Sequence, residues 1–151
     1  MSFYYPAGWT VYYPQDVSTM DRAVVTVASI PVLAPCTTPA EGVVPAVPAC
    51  QRFTTPPGAI VLEFRVGGGI RPPDWSKAKF TIGGQPAFRE DWGPGQNATG
   101  ADEGHTWSVR MGPTTLGIYV SLRGPNLPAL RAEMDEVLGS IKITQLQSPA
   151  P

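Results

Sequence analysis

Several things are scarce in this chain of 151 residues, and each scarcity removes a class of protein. No apolar run approaches the roughly 18 residues that a membrane-crossing helix requires. Lysine and arginine number 11 against 12 aspartates and glutamates, for a net charge of −1. That balance gives no basic footprint, so nucleic acid is a poor partner. There is one histidine, and there are two cysteines. A structural zinc site takes about four ligands, which this inventory does not favour, and no C-x-x-C redox pair occurs. G-x-S-x-G, H-E-x-x-H and the phosphate-binding P-loop are also absent. No cofactor is implied. Charged residues make up 15% of the chain, against about 25% in an ordinary globular protein.

What is plentiful is punctuation. The chain carries 18 prolines and 16 glycines, and 42% of its residues are apolar. Enough apolar side chains exist for a core, and the frequent breakers favour many short strands over a helical bundle. The length suits one domain, taken as residues 1–145, with "QSPAP" at its end read as a frayed tail over 146–151. The opening "MSFYYPAGW" enters a strand-like stretch almost at once, and the expectation is that any leader or anchor has been removed.

The strand signals recur down the chain. "FYYPAGWTVYYP" reads as two short pieces about a turn, and "DRAVVTVASIPV" as one β-branched strand. In "GAIVLEFRVGGG", Ile60, Leu62, Phe64 and Val66 alternate with Val61, Glu63 and Arg65, a period of two. "KFTIGGQPAFREDWG" carries two runs about Gly83-Gly84, a two-residue hairpin signal. "HTWSVRMG" and "TLGIYVSLRG" alternate again around Gly112-Pro113. One segment has helical period: from Asn126 to Ile141, Leu127, Leu130, Met134, Val137, Leu138 and Ile141 form one apolar stripe. Asn126 suits an N-cap and Pro128 the first turn. "IKI" can add a last short strand. Strands followed by one helix predict an α+β fold, an antiparallel sheet with a C-terminal helix packed on one face.

Cys36 and Cys50 bracket thirteen residues that include three prolines and no aromatic. Such a span has little means of packing itself, and a disulfide closing it would constrain the unfolded chain by roughly 3 kcal/mol. A disulfide implies an oxidising, extracytoplasmic setting. Two thiols acting only as small buried hydrophobes are the alternative.

"FYYPAGWTVYYP", the cysteine pair, "PPGAIVLEF", "TIGGQPA" and "YVSLRGPN" before a helix ending "VLGSI" resemble a group of secreted or lipoprotein-type bacterial domains, found especially in actinobacteria and related lineages. The likeness spans most of Phe3 to Ile143. The "PAGW" opening and the helix ending in "SIKI" also resemble the PsbP-like α/β/α sandwich, shared by several non-catalytic binding proteins. These resemblances imply an extracytoplasmic domain with a PsbP-like fold and no catalytic residues. A second cysteine pair, sometimes present in the later strands of the group, has no counterpart in Ala101–Gly104 or Tyr119–Leu122.

Two constellations could carry chemistry. "GADEGHTW" gathers Asp102, Glu103 and His105, a carboxylate–imidazole set able to serve a metal or acid–base catalysis, or simply to form a polar loop. If the strand alternation holds, Glu63, Arg65, Ser108, Arg110, Tyr119, Ser121 and Arg123 share the sheet face opposite the helix. Arginine and tyrosine favour recognition surfaces. Arg65, Arg110, Tyr119 and Arg123 are therefore expected to be exposed, as a binding face or as plain solvated surface, with Trp75 and Trp92 as further candidates that can instead plug the rim of the core. The function expected is a non-catalytic extracytoplasmic domain that binds, or structurally supports, a protein or cell-envelope component. The alternative is a small metal-dependent hydrolase built on Asp102, Glu103 and His105.

Overall fold

A computed structural model describes residues 1–13, 21–31, 54–67, 73–96 and 99–144. Seven strands run in chain order: β1 (Thr10–Tyr12), β2 (Asp21–Ala28), β3 (Ala59–Gly67), β4 (Phe80–Ile82), β5 (Gln85–Trp92), β6 (Glu103–Met111) and β7 (Thr114–Arg123). A short 3-10 turn covers Trp75–Lys77 before β4, and the helix α1 (Leu127–Gly139) follows β7. The strands form one antiparallel sheet in the order β1-β2-β3-β7-β6-β5-β4. The α+β reading is therefore correct. Cys36 and Cys50 lie outside the described residues, as does the tail over 146–151.

The period-two patterns fix which side of the sheet is which. Ile60, Leu62 and Phe64 of β3 pair across to Leu122, Val120 and Ile118 of β7, and all six are fully buried. Trp107 and Val109 of β6 continue the layer. On this side Met134, Val137 and Leu138 of α1 close the core, with Leu127 and Leu130 partly buried beside them and Ile141 beyond. The whole apolar stripe read from the sequence thus faces the sheet. Asn126, however, makes no side-chain cap; only its carbonyl accepts the Leu130 N–H, at 3.2 Å.

The hairpin between β4 and β5 turns on Gly83 and Gly84, both with positive φ, as a two-residue connection requires. A Cβ on Gly83 would stand 3.0 Å from the Ile143 backbone nitrogen, so the glycine also lets the post-helix segment close down. That segment is not a strand. It makes a single bridge, Lys142 with Ser2, through N–H to carbonyl bonds of 2.8 and 2.9 Å. Phe3 then stacks on Phe64 with ring centroids 4.6 Å apart.

The opposite face departs from the sequence expectation. Of the four side chains expected to be exposed there, only Arg110 is; Arg65, Tyr119 and Arg123 are half-buried. The reason is a second, smaller layer. Ala28 and Val61 are buried on this side, joined by Thr26, which pairs with Glu63, and by Thr55 and Thr99. The segments around Thr55 and Thr99 lie together, Thr55 N–H donating to the Thr99 carbonyl at 2.8 Å, and Arg123 Nη1 donates to the Thr55 carbonyl at 3.0 Å. Arg123 fastens a loop rather than standing in water.

Candidate functional site

The register of four strands builds one cleft on the face away from the helix. Glu63 of β3 lies across from Tyr119 of β7, and Ser121 of β7 across from Gly104 of β6, which in turn lies across from Trp92 of β5. Gly104 decides the shape. A Cβ there would come within 1.9 Å of the Trp92 ring, so the indole rests on bare backbone. Its Nε1 donates to Thr106 Oγ1 at 3.3 Å, which holds the ring in that pose. Gly117 plays a milder version of the same part beneath Tyr119, whose ring would stand 3.1 Å from an added Cβ.

The result is a cleft of about 30 Å³ lined by Val61, Glu63, Arg65, Trp92, Thr99, Tyr119 and Ser121. Two aromatic rings flank it. Thr99 and Ser121 are buried, with their hydroxyl oxygens 3.4 Å apart. Glu63 is 9% exposed and pairs through Oε1 with Arg65 Nε. The Arg65 guanidinium also lies over the Tyr119 ring, 5.5 Å from its centroid. A carboxylate, a guanidinium, hydroxyls and two π faces in so small a space suit recognition of a compact polar group.

Three of the six residues expected to bind are thus brought together: Arg65, Tyr119 and Trp92. The other three are not. Arg123 holds the Thr55 loop, Arg110 stands in solvent near the β6–β7 turn, and Trp75 packs on Phe88 with centroids 5.7 Å apart. Asp74, which precedes Trp75, accepts from Ser76 N and Oγ, and this hydrogen bonding holds its carboxyl below the usual range.

The Asp102–Glu103–His105 set does not converge. Asp102 Oδ2 accepts the Gly124 N–H at 2.9 Å, whereas Glu103 and His105 point to the helix side with the rest of that strand face. There His105, 2% exposed, lies between two carboxylates: Nδ1 is 2.7 Å from Asp91 Oδ1, and Nε2 is 3.0 Å from Glu103 Oε1 but off the hydrogen-bonding direction. Arg89 binds Asp91 at 2.5 Å and stacks over Trp107, and Arg131 of α1 forks onto Glu103. Hydrogen bonding from Arg89 lowers the Asp91 pKa, and that from Arg131 lowers the Glu103 pKa. Arg131 is raised in turn. The set is a fastening between β5, β6 and α1. Among the described residues, no group of three His, Cys, Asp or Glu side chains is placed to hold a metal ion.

Arg89, Asp91 and Arg131 escaped the sequence reading. The alternation in "REDW" puts Arg89 and Asp91 on one strand face, a usable signal, but only the β5–β6 register shows that His105 is their neighbour. Comparisons with protein-family models, with curated proteins and with solved structures return no match.

Proposed function

We propose that this protein is a non-catalytic binding or structural domain that works outside the cytoplasm and recognises a protein or cell-envelope component through the sheet face opposite α1. The observation that carries this reading is the convergence of Arg65, Tyr119 and Trp92, from three different strands, on one cleft. Side chains mounted on a sheet are held in place before a partner arrives, so little ordering is required on binding. The single histidine supports the same reading. It is buried between two carboxylates and presents no accessible edge for proton transfer to a substrate.

The location is proposed from the cysteine pair and the resemblance to secreted bacterial domains, and the architecture is proposed to be PsbP-like from the "PAGW" opening and the terminal helix. Free-thiol counting under denaturing, non-reducing conditions should find neither Cys36 nor Cys50 reactive; two free thiols in protein purified under oxidising conditions would remove the argument for location. The binding reading is tested by immobilising the domain and comparing capture from an envelope extract by the native protein and by Trp92→Ala and Tyr119→Ala, each checked for folding by circular dichroism. The native protein should retain a partner saturably, and the variants should retain much less. Equal capture by folded variants overturns the reading.

A further inference from the structure

We infer that the outer edge of β4 is a docking site for an extended, acidic segment of a partner protein, which adds to the sheet there as a further strand. This edge shares no residue with the cleft on the face opposite α1, and the inference does not depend on the reading of that cleft.

Pro86 sets the pattern of this edge. β4 is the last strand of the sheet and pairs with β5 alone, Phe80 with Ala87, Thr81 with Pro86 and Ile82 with Gln85. Opposed residues in an antiparallel pair alternately exchange both backbone hydrogen bonds and none. Proline has no N–H, so Thr81 and Pro86 are a pair of the second kind. The N–H and carbonyl of Thr81 therefore point away from β5, and no other described backbone group bonds to them. Beside them Phe80 is 44% exposed, although its ring packs edge-on against Trp107 with centroids 5.3 Å apart. An open hollow of about 420 Å³ adjoins Thr81 and Ile82, with Leu138, Ile141 and Ile143 among its walls.

The charge at this edge has one sign. The chain has three lysines, Lys77, Lys79 and Lys142. Lys77 and Lys79 come just before β4, and Lys142 lines the hollow beyond the Gly83 turn. All three are exposed, and residues 75–88 contain no aspartate or glutamate. Lys77 has only the exposed Asp74, at 3.6 Å, and among the described residues neither Lys79 nor Lys142 forms an ion pair. Arg65, Arg89 and Arg131, by contrast, are each matched to a carboxylate. Lysine is an ordinary guard against accidental strand pairing, but a guard has no use for a half-exposed phenylalanine beside it. A second copy of the chain would bring the same lysines to the seam, and like charges across paired strands repel. An extended acidic chain uses every feature at once: its backbone meets Thr81, an apolar side chain meets Phe80 and the hollow, and its carboxylates meet the lysines.

The test uses the whole domain and three fluorescent peptides: acetyl-Glu-Val-Asp-Val-Glu-Val-Asp, the same sequence with lysine at each acidic position, and the acidic peptide N-methylated throughout. Fluorescence anisotropy should show saturable binding of the acidic peptide, and the Thr81 amide should shift in the NMR spectrum and gain protection from hydrogen exchange. The lysine peptide should not bind. The N-methylated peptide, which cannot donate to an edge, should bind about tenfold more weakly or worse. Thr81→Pro removes the outward N–H without touching a hydrogen bond to β5, and should weaken the acidic peptide about tenfold. Should that variant fail to fold, Lys79→Glu should weaken the acidic peptide and strengthen the lysine one. No saturable binding, equal binding by either control peptide, an unmoved Thr81 amide, or a folded variant with unchanged affinity overturns the inference. So does a dimer of the native protein that dissociates in Thr81→Pro, which assigns the edge to a second copy. Peptide binding lost in Trp92→Ala places the peptide in the cleft and overturns the inference as well. Peptide binding retained in that variant while its envelope capture is lost supports both sites. Peptide binding retained with capture also unchanged leaves the edge standing and removes the cleft reading.

Discussion

The two faces of the central strands follow the same rhythm and end in different chemistry. Towards α1, β3 and β7 contribute Ile60, Leu62, Phe64, Ile118, Val120 and Leu122, all fully buried and all apolar. Towards the other side, the alternate residues are Val61, Glu63, Arg65, Tyr119, Ser121 and Arg123, most of them buried or half-buried and most of them polar. Burial of the first kind stabilises at about 25 cal/mol per Å² of apolar surface. Burial of the second kind returns less, because each polar atom gives up water and must find a partner to recover it. Thr55 Oγ1 on that side finds none among the described residues. A face that gains little stability yet is held closely in place is where function is to be sought.

The contrast can be broken by substitution. Phe64→Ala on the helix side should cost about 3–5 kcal/mol in urea unfolding, the usual penalty for emptying a buried phenylalanine site. Val61→Ala on the other side should cost clearly less, because fewer methyl groups are lost and the layer there is thin. Equal losses would show that both faces are cores of the same kind.

Acid gives a second, smaller effect that belongs to the rim of the helix face. Asp91 and Glu103 have folded pKa values below the unfolded ones, first through hydrogen bonds from Arg89 and Arg131 respectively. Their stabilisation is therefore complete above the unfolded value of about 4 and is lost as pH falls through the folded values. Glu103→Gln should flatten that acid limb of a plot of urea midpoint against pH. Asp91→Asn should flatten it less, because the Asp91 side chain is 61% exposed and its pair is screened by water. A limb unchanged in Glu103→Gln would detach Arg131 and Glu103 from the fastening of α1. The smallest effect is expected at Arg110, whose exposed side chain should change stability by no more than about 0.5 kcal/mol on truncation to alanine. A larger loss would show that the outer half of that face is also buried.

Much of this arrangement was legible in the residues. Alternation assigned Ile60 and Glu63 to opposite faces, the Gly83-Gly84 pair marked its hairpin, and the stripe from Leu127 to Ile141 showed the helix and the side it buries. These signals are local, carried by the residue period within one element or one turn. What was not legible depends on register between distant segments. That Trp92 lies on Gly104, that Asp91 reaches His105, and that Arg123 ties down Thr55 follow from pairings between different elements, which the period within any one of them does not reveal. The expectation of an open arginine face failed for the same reason. Counting helices tells what one helix can cover, but not that the loops at Thr55 and Thr99 settle on the other side.

The bridge between Ser2 and Lys142 has a mechanical consequence. The pair is antiparallel, so the chain leaves it at Met1 and at Ile143 from the same end. Tension applied through those two points would not shear the hydrogen bonds together but would unzip them in turn, a weak geometry against force. Tyr4, tied to Ser140 Oγ at 2.9 Å, would be the next to yield, and Phe3 would be drawn off Phe64 along with it. Stretched by its ends, the molecule should first surrender its aromatic N-terminal strap at low force, while the sheet behind it still holds.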